Sequence, residues 1–284
     1  MFFDVDPLDA MDALHGYPPL RADQPGRECP GGFPALGPLE YLASNLFAAR
    51  FGGDRETCCR KPLVTLEAGP GIRFSGERFD QDDLDVFLAC LEPALANTGA
   101  GTARFEANRL LRRLGRRVDG PGRRRLTASL WRLEAGRLEL ADAGRRACIR
   151  LFNTVLVDRQ GGWCMVEVHA QALGALAAMP GLAGLLRDRP GLKGCPLSKW
   201  LLCFGRALPE ELVLDLHRLR ALCGCPEETH ARFTGRVRAA LDRLADNGYL
   251  TGMVIGPDGL LRSSPAPDGT PRGTPRSRRK EEPS

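Results

Sequence analysis

Twice along this sequence a short amphipathic stretch, a glycine-bearing turn, a longer amphipathic stretch and β-like runs follow one another, and this recurrence limits the fold more than any other feature. In the first half, 107–114 reads as a helix, 115–122 as a turn, and 123–135 as a second helix whose Leu126, Leu130 and Leu133 share one face. The β-like runs 137–141, 148–157 and 163–168 follow, separated by Asp142-Ala143-Gly144 and Gln160-Gly161-Gly162. In the second half, 170–178 and Trp200 to Phe204 are helical, 214–222 is a short helix ended by Gly224, and 226–247 is a long one. Runs 249–255 and 260–262 close a hairpin around Gly256-Pro257-Asp258-Gly259. The letters echo the plan: Leu130-Trp131-Arg132-Leu133 before Gly136 matches Leu241-Asp242-Arg243-Leu244 before Gly248. The sequence therefore predicts an α+β fold of two tandem winged-helix domains, each a helix-turn-helix plus a β-hairpin.

The flanks differ from this core. Residues 1–60 are dense in Pro and Gly, a composition that predicts a flexible N-terminal arm. Residues 263–284 hold no large apolar side chain and predict a disordered basic tail. The first winged helix then occupies 61–168 and the second 169–262. At the start of the first, Leu63 to Leu66 and Ile72 to Phe74 flank Gly69-Pro70-Gly71, as two strands around a turn would. A helix follows, with Asp80 as its cap and Leu84, Phe87, Leu88, Leu91 and Leu95 at helical spacing. Asp82, Asp83 and Asp85 fit solvated positions near the positive end of its dipole.

Several function classes are unsupported. The uncharged stretch 170–186 is broken by Gly174, Pro180, Gly181 and Gly184 and falls short of the roughly 20 apolar residues of a bilayer span. Asp4, Asp6, Asp9 and Asp12 replace the basic leader of an export signal, so a cytoplasmic protein with reduced thiols is expected. Among ten cysteines, Cys58-Cys59 and Cys223-Gly224-Cys225, taken with His217 and His230, lack zinc-site spacing. Cys90, Cys148, Cys164 and Cys203 sit among apolar residues, as small buried hydrophobes do. There is no phosphate-binding loop, no G-x-S-x-G and no H-E-x-x-H. No enzyme activity, metal or cofactor is expected.

Charge points elsewhere. The net charge of +5 is modest, but its distribution is not even: from Arg109 to Arg125, eight arginines face the single acid Asp119. Arg123, Arg124 and Arg125 open the second helix of the first unit, where side chains and backbone N–H groups suit phosphate. On the long helix of the second unit, 100° per residue from Phe233 puts Phe233, Val237, Ala240, Leu241 and Leu244 between about −20° and +80°. Arg232, Arg236 and Arg243 fall at about −100°, −60° and −80°, one stripe beside the small Gly235 and Ala239. Such a helix can enter a major groove about 12 Å wide. Arg232 and Arg236 are the base-reading candidates, Arg243 a backbone contact, and Arg262 closes the second hairpin; a solvated charged face is the competing reading. The expected partner is double-stranded DNA, with the second unit its main reader.

The run Asn45 to Arg50, the pattern Ile72-Arg73-Phe74-Ser75-Gly76-Glu77 before Gln81-Asp82-Asp83-Leu84, and Ile149 to Asn153 resemble the TrfA-type plasmid replication initiators. Leu216 to Gly224 is similar to that family's short helix ending in Cys-Gly, and Phe233, Val237, Leu244, Gly248 and Leu250 match its long helix and wing. The resemblance covers about Leu46 to Arg262. It implies binding to directly repeated sites (iterons) of a plasmid origin, opening of an adjacent AT-rich stretch and recruitment of the host replicative helicase with the host initiator protein. It implies no nucleotide cofactor, and a monomer on DNA able to self-associate. The family can also carry a sliding-clamp motif with Gln ahead of Leu-Phe. Ser44-Asn45-Leu46-Phe47 lacks that Gln, which favours packing of Leu46 and Phe47 on the first domain. A transcriptional repressor with the same fold and a scaffold whose basic helices dock on acidic proteins are the alternatives.

Overall fold

The computed structural model describes residues 36–263 apart from 52, 67–70, 98–100, 143–144, 159–161, 209–210, 227 and 251. Residues 264–284 of the expected tail, residues 1–35 of the expected arm and the Gly69-Pro70 turn lie outside the described residues, whereas Ser263, expected to open the tail, ends a strand and is 5% exposed.

Residues 36–60 do not behave as an arm. Helix α1 (Pro38–Leu42) starts with Pro in its first turn, and Gly37 N–H donates to Glu40 Oε2 at 2.8 Å. Tyr41, Leu42, Leu46 and Phe47 are all at most 2% exposed. The two-residue strands β1 (Phe47–Ala48) and β4 (Phe79–Asp80) pair in parallel, and Phe47 stacks on Phe79 with centroids 5.4 Å apart. Pro and Gly prevent long elements here, but they leave short pieces free to bury aromatic groups. Leu46 and Phe47 therefore serve packing, and a sliding clamp could not grip them without opening the core.

In the first unit, strand β2 (Thr57–Pro62) lies N-terminal to the expected 63–66 and pairs with β3 (Gly71–Glu77). Val64 is diverted instead, its N–H donating to Asn45 Oδ1 at 2.8 Å. Helix α2 (Gln81–Ala96) is capped as expected, Asp80 accepting from the N–H groups of Asp82 and Asp83. Then come β5 (Thr102–Glu106), α3 (Ala107–Arg113) and α4 (Gly120–Ala135). Helix α4 begins earlier than expected, because Asp119 caps it by accepting from Gly122 N–H at 2.6 Å. Arg123 thus lies in the second turn, and its own N–H is spent on the Asp119 carbonyl at 3.0 Å. The expected pairing of phosphate with a free Arg123 amide is not available.

Four strands follow: β6 (Arg137–Asp142), β7 (Arg145–Ile149), β8 (Phe152–Val157) and β9 (Trp163–Val168). They divide between two sheets. The β6–β7 hairpin extends β2 and β3 into an antiparallel sheet of order β2-β3-β6-β7, while β8 and β9 join β5 in the order β5-β9-β8.

Helices α5 (Ala170–Ala177) and α6 (Leu182–Asp188) lead to the second unit, which runs α7 (Pro196–Ala207), β10 (Leu212–Asp215), α8 (Leu216–Leu222), α9 (His230–Asp246), β11 (Met253–Ile255) and β12 (Leu260–Ser263). Its sheet has the order β10-β12-β11. Each unit is thus helix, strand, two helices and hairpin, with the last strand central and paired to the strand after the first helix. A contiguous cluster of buried apolar side chains runs through both.

Ion pairs fasten the units. Arg189, 2% exposed, donates from Nε to Asp85 Oδ1 at 2.6 Å and from Nη2 to Gln81 Oε1 at 2.8 Å, and Lys199 pairs with the other Asp85 oxygen. The solvated reading of Asp83 and Asp85 does not hold: Asp83 is fully buried and takes Arg55 at 2.8 Å and Arg132 at 2.8 Å. Carboxylates removed from water need such partners to stay charged. Cys90, Cys164 and Cys203 are buried as expected, whereas Cys148 is exposed on β7.

Candidate nucleic-acid interface

Helix α9 packs through Phe233, Val237, Ala240, Leu241 and Leu244, all buried. Its outward ridge is made of Ala231, Gly235 and Ala239, all exposed. On the wheel anchored at Phe233 these fall at about 160°, 200° and 240°, nearly opposite the apolar arc. Arg238 flanks the ridge at about 140° and Arg232 at about 260°. Both are exposed, and Arg232 keeps 78% of its side chain in solvent while lying 3.4 Å from Glu228. Two cations on either side of a small-residue ridge let a backbone approach a polyanion closely while charge reaches out from both edges.

The structure does not bring Arg232, Arg236 and Arg243 together as one set. Arg236 is half-buried and bonds Glu228 Oε2 at 2.6 Å, and the Arg243 guanidinium turns to the Cys195 thiol. Arg238 lies off the arginine stripe, on the far edge of the small-residue ridge. Its sequence signal is the ridge of small residues opposite the apolar face, which it flanks.

Helix α4 presents a different surface. Leu126, Leu130 and Leu133 are buried as expected, and Arg124, Arg125, Ala128 and Trp131 face out, Trp131 being 46% exposed. Arg123 is half-buried, its Nε donating to Asn108 Oδ1 at 3.0 Å. Of the arginine cluster before it, Arg116 bonds Asp82 Oδ1 at 3.2 Å and Arg113 pairs with Glu92, while Arg109, Arg112 and Arg117 are exposed. Part of the local charge is therefore structural, and the rest faces water.

Arg262 sits on the outer face of the central strand β12, between Val213 and Val254 on its neighbours, which are 58% and 56% exposed. It is held by Asp258 through two bonds of 2.8 and 2.6 Å. Hydrogen bonds from Arg262 and from Leu260 N–H hold the Asp258 carboxyl well below the usual carboxylate range. Among the described residues, no group of three His, Cys, Asp or Glu side chains could hold a metal ion, and no helix is long and apolar enough to cross a membrane.

The chain matches no family model and no curated protein by sequence. Among solved structures, domains 2 and 3 of RctB align with a TM-score of 0.55 over 73% of this chain and 86% of theirs, at 14% identity. A second structure of the same RctB domains aligns with a TM-score of 0.45 over 77% of this chain and 92% of that one, also at 14% identity. The mixed α/β fold described above is therefore shared with RctB domains 2 and 3.

Proposed function

We propose that this protein is a DNA replication initiator that binds duplex DNA through its two units, each acting as a winged helix. The observation that carries this reading is α9, whose exposed Ala231-Gly235-Ala239 ridge is flanked by Arg232 and Arg238. RctB, which shares the fold, is a replication initiator with winged-helix domains, and this supports extending the reading from DNA binding to initiation. The first unit grips phosphate with Arg124 and Arg125 while α9 reads base edges. The action is binding and remodelling of DNA in the cytoplasm, without covalent chemistry.

The finer reading draws on the resemblance to TrfA-type proteins. On it the DNA is a set of iterons in a plasmid origin, the adjacent AT-rich stretch is opened, and the host helicase and initiator are recruited. The test is binding to a duplex bearing direct repeats from beside the gene, against shuffled repeats, over a salt series. Preference for the repeats, with affinity falling steeply as salt rises, is the expected result. Equal, salt-insensitive binding to both duplexes would remove DNA recognition.

A further inference from the structure

The turn that feeds α9 carries two thiols one residue apart. Cys223 is fully buried and Cys225 half-buried. Gly224 between them has φ +73°, and a Cβ there would meet that of Ala48 at 3.0 Å, so a bend open to few residues but Gly is pressed against the β1 segment. The bend turns Cys225 back on its neighbour. Its Sγ lies 3.8 Å from the Cys223 carbonyl oxygen and 4.0 Å from that of Ala49, while its N–H donates to the Arg220 carbonyl at 3.0 Å. Consecutive Cα atoms are about 3.8 Å apart. A sharply bent three-residue turn thus keeps the outer two within the roughly 4.4 to 6.8 Å that a disulfide spans.

The surroundings separate the two sulfurs. The Cys223 thiol donates to the Arg220 carbonyl at 3.4 Å, and its closeness, with the Arg236 guanidinium, draws the Cys225 thiol below its ordinary value against the effect of burial. The neighbouring Cys225 sulfur, with burial, pushes Cys223 up. One sulfur is reachable and disposed to ionise, and the other waits beneath it as a thiol.

We propose that Cys225 and Cys223 form a peroxide-responsive dithiol that sets the position of α9. The Cys225 thiolate attacks the peroxide O–O bond, forming an S–O bond and releasing hydroxide, which takes a proton to become water. Cys223 then loses its proton and attacks the sulfenic sulfur, forming the S–S bond and expelling the second oxygen as water. Two thiols are oxidised and one peroxide is reduced to two waters. The disulfide withdraws Cys225 from Arg236 and strains the bonds that fasten this turn, including Ala49 N–H to the Cys223 carbonyl at 2.8 Å. Helix α9 shifts at its entry. The effect on DNA rests on the reading of α9 given above; the thiol chemistry does not.

The experiment treats the reduced full-length protein with stoichiometric hydrogen peroxide, maps the thiols by mass spectrometry, and measures affinity for a mixed-sequence duplex of about 30 base pairs at low salt. The peptide holding Cys223 and Cys225 should lose two hydrogens, before the exposed Cys59 and Cys148 react. Affinity should fall about fivefold and return with dithiothreitol. Cys225→Ser and, separately, Cys223→Ala should abolish both changes. Oxidation confined to Cys59 or Cys148 overturns the proposal, and so does a closed disulfide with unchanged affinity. Arg232→Ala, measured on reduced protein, separates the two failures: if it weakens binding, DNA reading by α9 stands and only the thiol switch has fallen.

Discussion

Helices α4 and α9 occupy the same place in two units of the same strand order, yet they divide their arginines differently between structure and surface. Arg132 on α4 and Arg243 on α9 are the matching letters of the internal echo. Arg132 turns inward with 14% of its side chain exposed and bonds the buried Asp83, whereas Arg243 stays exposed beside Cys195. Helix α4 also faces a unit enlarged by the β6–β7 hairpin, while the second unit keeps a bare three-stranded sheet with Val213 and Val254 exposed. The first unit has spent cations on holding itself and α2 together. The second keeps its outward ridge small and its flanking cations exposed, and the proposed role of main DNA reader rests on that difference.

The largest expected effect tests this division at the matched pair. Arg132→Leu leaves Asp83 in the core with Arg55 as its remaining cation and should cost about 3 kcal/mol in urea unfolding. Arg243→Leu should cost about 0.5 kcal/mol or less. Equal losses would show that the two helices share one design.

Next comes the DNA itself. Arg232→Ala and Arg238→Ala should each cost about 1 to 3 kcal/mol on a cognate repeat and relax discrimination at one or two base pairs, read by competition against single-base variants. Arg236→Ala should chiefly loosen the α9 entry, since its guanidinium is already committed to Glu228 at 2.6 Å. If Arg236→Ala alone changes base preference, the side chain leaves Glu228 on binding and the ridge has been placed one row too far round.

On α4, Arg124→Ala with Arg125→Ala should lower the salt slope by about two while leaving site preference in place. Adding Arg123→Ala should cost stability more than slope, because Arg123 tethers α4 to Asn108. A slope that ignores Arg124 and Arg125 would take the first unit off the duplex.

The parts legible in the sequence are those set by local periodicity and capping. The buried face of α9 and the Asp80 cap follow from spacing alone, because a helix repeats every 3.6 residues whatever it packs against. What stayed hidden depends on partners far along the chain. Nothing local tells that β6 joins β3 instead of the sheet formed by β5, β8 and β9, that Asp83 awaits Arg132, or that Arg243 finds Cys195. Residues 36–60 depart from the expected arm for a related reason: Pro and Gly density reports the length an element can reach, not whether Tyr41 and Phe47 find a core.

The smallest effect lies at the join between the two units. His169 caps α5, its Nδ1 accepting from Gln171 N–H at 3.3 Å, and burial holds its pKa below the ordinary 6.5, with Glu167 opposing. The folded state therefore binds this proton more weakly than the unfolded chain. The stability tied to the neutral ring is fully present above the unfolded value and is lost as pH falls through the lowered folded one. Protonation also removes the lone pair that caps the helix. Unfolding midpoints should drop slightly between neutral pH and pH 5 in the wild type. His169→Asn, which retains a capping oxygen but cannot titrate, should remove that part of the slope. If the two profiles run parallel, the acid sensitivity belongs to other groups, and the join contributes nothing that separates one unit from the other.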